Sequence, residues 1–261
     1  MTNHKITKKK ILYFILAYNA EKSISKLLDR FDKVTLDHAD EILLADDCSK
    51  DKTAKVAEWY KKAKNLKKLK IIYHEKNKGY GGNQKWGYNY AIKNNFDVVV
   101  MVHGDAQYPP EYILKLIKPI EEGKADFMFG SRIAGHPLKG GMPIYKFIGN
   151  KFLTSVENLV LGTKLSEFHS GFRAYNVHAL KQIPFNRDSD DFHFDSEIIV
   201  QLAMAKKKIG EIVIPTCYGD EKCNVNSVQY GLNVLKVMSQ YILHKLKLRK
   251  YSKFSINSDF K

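Results

Sequence analysis

For about its first 130 residues the chain alternates between two hydrophobic rhythms. Short runs rich in apolar and β-branched residues predict strands at Lys10–Tyr18, Glu41–Ala45, Leu69–His74, Asp97–His103 and Asp126–Gly130. Between them, apolar residues recur at helical spacing over Glu21–Phe31, Asp51–Lys64, Tyr80–Asn94 and Pro110–Glu121. Acidic residues near the start of the second helix and proline in the first turn of the fourth suit helix N-termini. Strands that alternate with helices of ten or more residues predict a mostly parallel sheet with helices as crossovers. After Gly130 the rhythm changes. Ser131–Pro143 reads as a loop long enough to be functional, followed by helices at Ile144–Leu161 and Asp195–Lys207 and a strand at Glu211–Pro215. A last helix spans about Val228–Leu248, with Leu232, Leu235, Met238, Ile242 and Leu246 near helical spacing. With no repeat and no low-complexity linker, the expectation is a single α/β domain with a C-terminal helical elaboration.

Composition narrows the partners. The chain has 261 residues, 44% of them hydrophobic, enough for one sizeable core. Lys and Arg number 43 against 28 Asp and Glu, a net charge of +15 that favours polyanionic ligands or surfaces. The positives gather at Lys8–Lys10, in six lysines within 61–70, and at Lys245, Lys247, Arg249, Lys250 and Lys253. Cys48, Cys217 and Cys223 form no CxxC pair and no secreted-type framework, so free thiols in a reducing compartment are expected. No signal-like N-terminal segment is present, and no apolar run approaches the ~18–20 residues of a membrane span. A cytoplasmic protein is expected, with contact at the cytoplasmic face of a membrane left open.

The chemistry-bearing residues gather where strands end. Val98-Val99-Val100-Met101-Val102-His103-Gly104-Asp105-Ala106-Gln107-Tyr108-Pro109-Pro110 carries a buried strand into a carboxylate, an amide and a proline break. In extended backbone Asp105 and Gln107 would point to one side, an arrangement suited to a divalent cation beside a phosphorylated substrate. A loop in which Asp105 only bonds turn amides is the alternative. The second strand ends in Asp46-Asp47-Cys48-Ser49-Lys50-Asp51-Lys52-Thr53, where paired acids suit base or ribose hydrogen bonds, while Ser49, Asp51 and Thr53 suit capping. Asn77-Lys78-Gly79-Tyr80-Gly81-Gly82-Asn83 is a glycine-rich turn opening a helix, without the spacing of a Walker loop or a GxGxxG fingerprint.

In order, Tyr18-Asn19, Asp46-Asp47-x-Ser49-x-Asp51-x-Thr53, Asn77/Gly79/Gly81, Asp105–Pro110, Gly130-Ser131-Arg132 and Ser170-Gly171-Phe172-Arg173-Ala174-Tyr175 resemble the family 2 glycosyltransferases. The polyprenyl-phosphate sugar synthases, dolichyl-phosphate mannose synthases among them, look most similar, and the resemblance fades past about Cys217. It implies a GT-A fold: a Rossmann-like sheet over about residues 10–130 for the nucleotide-sugar, an acceptor side over about 131–227, and the amphipathic helix at 228–248. It also implies displacement with inversion at the anomeric carbon of a UDP- or GDP-sugar, helped by Mn²⁺ or Mg²⁺, as a hexosyl- or N-acetylhexosaminyltransferase. Tyr18, Asn19, Asp46, Asp47, Gly79, Asp105, Arg132 and Lys222 would face the donor, and Asp105, Gln107 and His103 the metal. Arg173 falls in a segment lining the substrates. Glu167 is the first candidate for a base, should the acceptor be a glycan or other hydroxyl; Asp195 and Glu197 follow, with N-capping as the alternative for Asp195. A lipid-phosphate acceptor needs no strong base.

Two departures matter. His103 stands where the family's metal motif has its first acid, which predicts weak metal affinity without nucleotide and a preference for Mn²⁺; packing or a ribose hydrogen bond is the alternative for this imidazole. In Tyr218-Gly219-Asp220-Glu221-Lys222-Cys223-Asn224 only Lys222 keeps the positive charge that a lipid phosphate would meet. The basic C-terminal helix suits either core packing or peripheral contact with an anionic membrane. Competing functions fit less well. A nucleotidyltransferase lacks its glycine-rich basic loop after the first strand, and no nucleic acid partner is expected, because the aromatics do not interleave with the lysines.

Overall fold

A computed structural model describes residues 8–216 and 226–256. Seven strands form one sheet: β1 (Ile11–Ala17), β2 (Glu41–Asp46), β3 (Leu69–Tyr73), β4 (Val98–His103), β5 (Phe127–Ser131), β6 (Arg173–Asn176) and β7 (Ile209–Val213). Their order is β3-β2-β1-β4-β6-β5-β7. All neighbours pair in parallel except β6, which runs antiparallel to both β4 and β5.

Every residue of β1 is buried, and its period-2 alternation divides the core. Ile11, Tyr13 and Ile15 face a layer built from α1 (Ile24–Asp29), α3 (Thr53–Ala63) and α5 (Ile113–Glu121). Leu12, Phe14 and Leu16 face α4 (Tyr80–Lys93), α7 (Val177–Leu180) and α8 (Phe194–Met204). Two longer helices complete the domain: α6 (Ile144–Leu161) and α9 (Ser227–Lys245), the latter capped by Asn226 through the N–H groups of Val228 and Gln229.

The strands and long helices follow the expected pattern, with local corrections. The first helix is short and gives way to α2 (Lys33–His38), whose start is capped by Asp32 accepting from the Thr35 N–H. A 3₁₀ turn at Pro110–Tyr112 precedes α5. Strand β6 had no sequence signal, because its four residues, beginning with arginine and ending with asparagine, carry no apolar run. With β7 it extends the sheet, so both halves of the chain share one core.

The parallel register decides the location of the site. Ala17 pairs with Asp46, and Leu16 with His103. Three loops therefore leave the sheet at one edge, where α/β folds place ligands.

Candidate active site

At the tip of β2, Asp46 is fully buried; Oδ1 accepts from the Ser49 N–H at 2.9 Å, and Oδ2 has no partner. Asp47 Oδ1 accepts from the Lys78 N–H at 2.8 Å, and the Asn77 side chain donates to the Asp47 carbonyl. Burial raises the Asp47 carboxyl above its ordinary value, against the pull of Lys78 and its hydrogen bonds. Behind these acids, His74 Nε2 meets Asn83 Oδ1 at 3.1 Å, and burial lowers the imidazole pKa. Tyr18 is exposed at this edge. Asn19, with φ 51°, accepts from the Lys50 N–H and donates its own N–H to Ser49 Oγ, which ties the two loops together. Asp51 and Thr53 also serve this junction: Asp51 accepts from the N–H groups of Glu21 and Thr53, and Thr53 Oγ1 from the N–H of Ala20.

The glycine-rich turn is not an open cradle. At Gly79, with φ 76°, a Cβ would lie 2.6 Å from the Asp190 carbonyl oxygen, and that oxygen accepts the Gly81 N–H at 2.8 Å. The glycines admit the 188–194 segment against the start of α4, so the Gly79 expectation is corrected to a packing role.

The strand β4 stops at His103, and Ala106 lies in the left-handed region with φ 62°. The extended backbone assumed for Asp105–Gln107 is therefore absent. A turn instead brings them together: Asp105 Oδ1 accepts from the Gln107 N–H at 3.0 Å. Arg30 holds the segment by donating to the Ala106 carbonyl and both Glu111 oxygens. His103 packs edge-on to Tyr80 and Tyr108, with Nε2 3.1 Å from Tyr80 Oη. A Cβ on Gly171 would fall 2.3 Å from that same nitrogen. Burial lowers the His103 pKa, partly offset by Asp105 and Asp195. Its Nε2 is engaged by Tyr80, the arrangement that the packing alternative for this imidazole expects. Among the described residues, no three His, Cys, Asp or Glu side chains are grouped to hold a metal ion. A cation here would rely on Asp105 and on oxygens of a bound substrate, a donor set that fits a site completed by a diphosphate.

Across Tyr108 stands Arg132, its guanidinium 5.7 Å from the ring centroid. Glu167 holds it. The Glu167 carboxylate is wholly buried and accepts from the Arg132 N–H, Nε and Nη2, from the Ile133 N–H, and from Asn150 Nδ2 on α6. Burial pushes the Glu167 pKa up, but Arg132 and these hydrogen bonds outweigh it and hold the carboxyl below its ordinary value. A carboxylate so saturated is a poor proton acceptor, which counts against Glu167 as a base; what the structure shows it doing is holding Arg132. The expectation for Arg173 meets a similar difficulty. It is wholly buried in β6, its guanidinium donating to the carbonyls of Ser170, Phe168 and Asp195.

Asp195 lies in the first turn of α8 rather than at its cap. Oδ2 accepts from Tyr80 Oη at 3.0 Å and Oδ1 from Gln84 Nε2 at 3.0 Å, with Arg173 3.3 Å away. Lys222 lies outside the described residues. Tyr80, Gln84, Tyr108 and Asn150 were not anticipated. Asn150 had a signal, since with Leu153, Thr154 and Glu157 it forms the buried face of α6, where a polar residue needs a partner.

This architecture, a Rossmann-like sheet with one antiparallel strand and acids at its C-terminal edge, defines a GT-A type glycosyltransferase domain. The glycosyl transferase family 2 model matches residues 13–184, and the chain belongs to that family. It is 31% identical over 237 residues to the UDP-N-acetylglucosamine–dolichyl-phosphate N-acetylglucosaminyltransferase of Methanococcus voltae, covering 87% of this chain and 91% of that protein. It is 24% identical over 210 residues to the undecaprenyl-phosphate mannosyltransferase of Micrococcus luteus, with 78% and 82% coverage. In fold it matches glucosyl-3-phosphoglycerate synthase of Mycobacterium tuberculosis with TM-score 0.67 at 14% identity, covering 89% of this chain and 80% of that one. A complex of that synthase with Mn²⁺, UDP and phosphoglyceric acid matches with TM-score 0.62 at 15% identity, covering 92% and 78%.

Proposed function

We propose that the protein transfers a hexosyl or N-acetylhexosaminyl group, with inversion, from a UDP- or GDP-sugar to a polyprenyl phosphate. One observation carries the choice of acceptor: each carboxylate expected as a base is already engaged, Glu167 by Arg132 and Asn150, Asp195 by Tyr80, Gln84 and Arg173, and Glu197 by Lys253 and the Ser189 N–H. A phosphate oxygen is an anionic nucleophile and needs no such base. The named relatives that act on dolichyl and undecaprenyl phosphate support the same reading.

In this mechanism Asp46 Oδ2, unpartnered at the strand tip, and Asp47 accept hydrogen bonds from the base and ribose. Tyr18 offers an exposed ring at the same edge. Asp105, beside Gln107, would hold a divalent cation together with the donor diphosphate, and the Mn²⁺ in the synthase complex supports such a cation. When bound, the cation neutralises charge on the departing diphosphate. Arg132, fixed by Glu167 and packed over the Tyr108 ring, supplies positive charge. The acceptor oxygen forms a bond to the anomeric carbon as its bond to the diphosphate oxygen breaks, and the nucleoside diphosphate leaves with the electron pair.

The test is a panel of UDP- and GDP-sugars with Mn²⁺ and a short-chain polyprenyl phosphate, scored for glycolipid formation. Transfer to the phosphate is expected, as is its loss on chelation. No reaction with any donor, or transfer only to hydroxyl acceptors, would overturn the reading. Calorimetry should find weak Mg²⁺ or Mn²⁺ binding to the protein alone, and tight Mg²⁺ binding without nucleotide would contradict a site completed by substrate.

A further inference from the structure

We propose that the outward faces of α6 and α9 form a docking surface for an anionic lipid bilayer. The proposal rests on the lipid-phosphate reading above and names the surface on which the acceptor would be met. On α6, Ile144, Tyr145, Ile148, Phe152 and Leu159 are 67%, 65%, 61%, 58% and 86% exposed. At 3.6 residues per turn these five fall within about 100° of the helix circumference. The buried residues Asn150, Leu153, Thr154 and Glu157 occupy the opposite arc. The helix is thus apolar on a face that turns directly away from the core, which core packing does not explain.

Its neighbour repeats the pattern. On α9 the exposed Val228, Leu232 and Ile242, with Leu246 at the C-cap, lie on a different arc from the buried Val234, Val237, Met238 and Tyr241. The two helices lie side by side, joined through a cluster that includes Val156 and Val160 of α6 and Val237 and Met238 of α9. Each is about 27–29 Å long at 1.5 Å per residue.

Charge selects the partner. The one acidic residue of α6, Glu157, is buried, and α9 has none. Lys146 and Lys151 lie on α6, Lys236 and Lys245 on α9, and Lys247, Arg249 and Lys250 follow directly. Helices with exposed apolar faces, several lysines and no exposed acidic residue fit acyl chains beneath anionic headgroups. The inner side of α6 supplies Asn150 to Glu167, which fixes Arg132, so this surface adjoins the acceptor side. Among the described residues no helix is long and apolar enough to cross a membrane, and the contact proposed is peripheral.

The experiment floats the full chain with phosphatidylcholine vesicles, with and without phosphatidylglycerol. A double variant, Ile148→Glu with Phe152→Glu, is compared, its fold checked by thermal unfolding. The expected result is co-flotation with anionic vesicles that weakens about ten-fold in neutral vesicles and in the variant. Transfer to a short-chain, water-soluble phosphate acceptor should be unchanged in the variant, while transfer to long-chain acceptor in vesicles falls. A folded variant that floats like the native chain would overturn the proposal. So would light scattering showing a native dimer that the variant converts to monomer, since a second copy would then cover the face. Failure of transfer to every phosphate acceptor would instead count against the proposed reaction, because flotation is read without it.

Discussion

Two buried carboxylates of this protein sit in opposite electrostatic settings. Glu167 is held below its ordinary pKa by Arg132, so its stabilisation is present above the unfolded value of about 4.3 and is lost as pH falls through the lower folded one. Replacing it with glutamine leaves the Arg132 guanidinium without its buried partner. We expect Glu167→Gln to cost about 3 kcal/mol in chemical denaturation. Activity should fall while the shape of the pH–rate profile is retained; a base would lose its ascending limb. Asp188 is the converse. Burial, with Glu197 adding to it, raises its pKa to about 9, and Oδ2 has no partner. Between the unfolded value of about 3.9 and the folded one, the native state binds the extra proton, so stability falls as pH rises through that window. Asp188→Asn keeps an acceptor for Gln201 Nε2 and removes the titration. It should stabilise more at pH 8 than at pH 5, by about 1 kcal/mol or more, read from denaturation at both values.

Between elements, glycine marks close approach more than turn geometry. Gly87 in α4 faces β1 so tightly that a Cβ would lie 2.1 Å from Phe14 Cε1. Alanine would gain about 1 kcal/mol of helix propensity. Because that clash is with a wholly buried ring, overpacking wins, and Gly87→Ala should lower stability by about 1–3 kcal/mol net in urea titration. The long elements were legible in the sequence because each buries a periodic apolar face. Strand β6 was not, since its pairing energy comes from β4 and β5 on either side rather than from its own four residues. The same holds for the glycine-rich turn, whose purpose depends on Asp190, more than a hundred residues away in the chain.

At the scale of the whole molecule, the C-terminal segment is a strap and not a free basic tail. Phe254 is buried against Tyr241 and Tyr251, Lys253 Nζ donates to Glu197 at 2.6 Å, and the Lys253 carbonyl accepts from Gln201. Truncation after Lys245 would leave buried Glu197 without Lys253 and expose the Phe254 seat. A loss of about 3–5 kcal/mol is expected, seen as a lowered unfolding midpoint even in the absence of lipid. An unchanged midpoint would return this segment to the role of a dispensable tail.

The sequence alone determined the alternating α/β order, the family and the sheet edge to which Asp46, Asp47 and Asp105 belong, because periodicity and strand ends are local properties. The surroundings of His103, Glu167 and Arg173 were decided only by tertiary structure. Each is a polar group whose meaning lies in its partners: Tyr80 for the imidazole, Arg132 for the carboxylate, and three backbone carbonyls for the buried guanidinium. Burial and hydrogen bonding set the charge, basicity and reach of such groups, and those are supplied by residues distant in the chain.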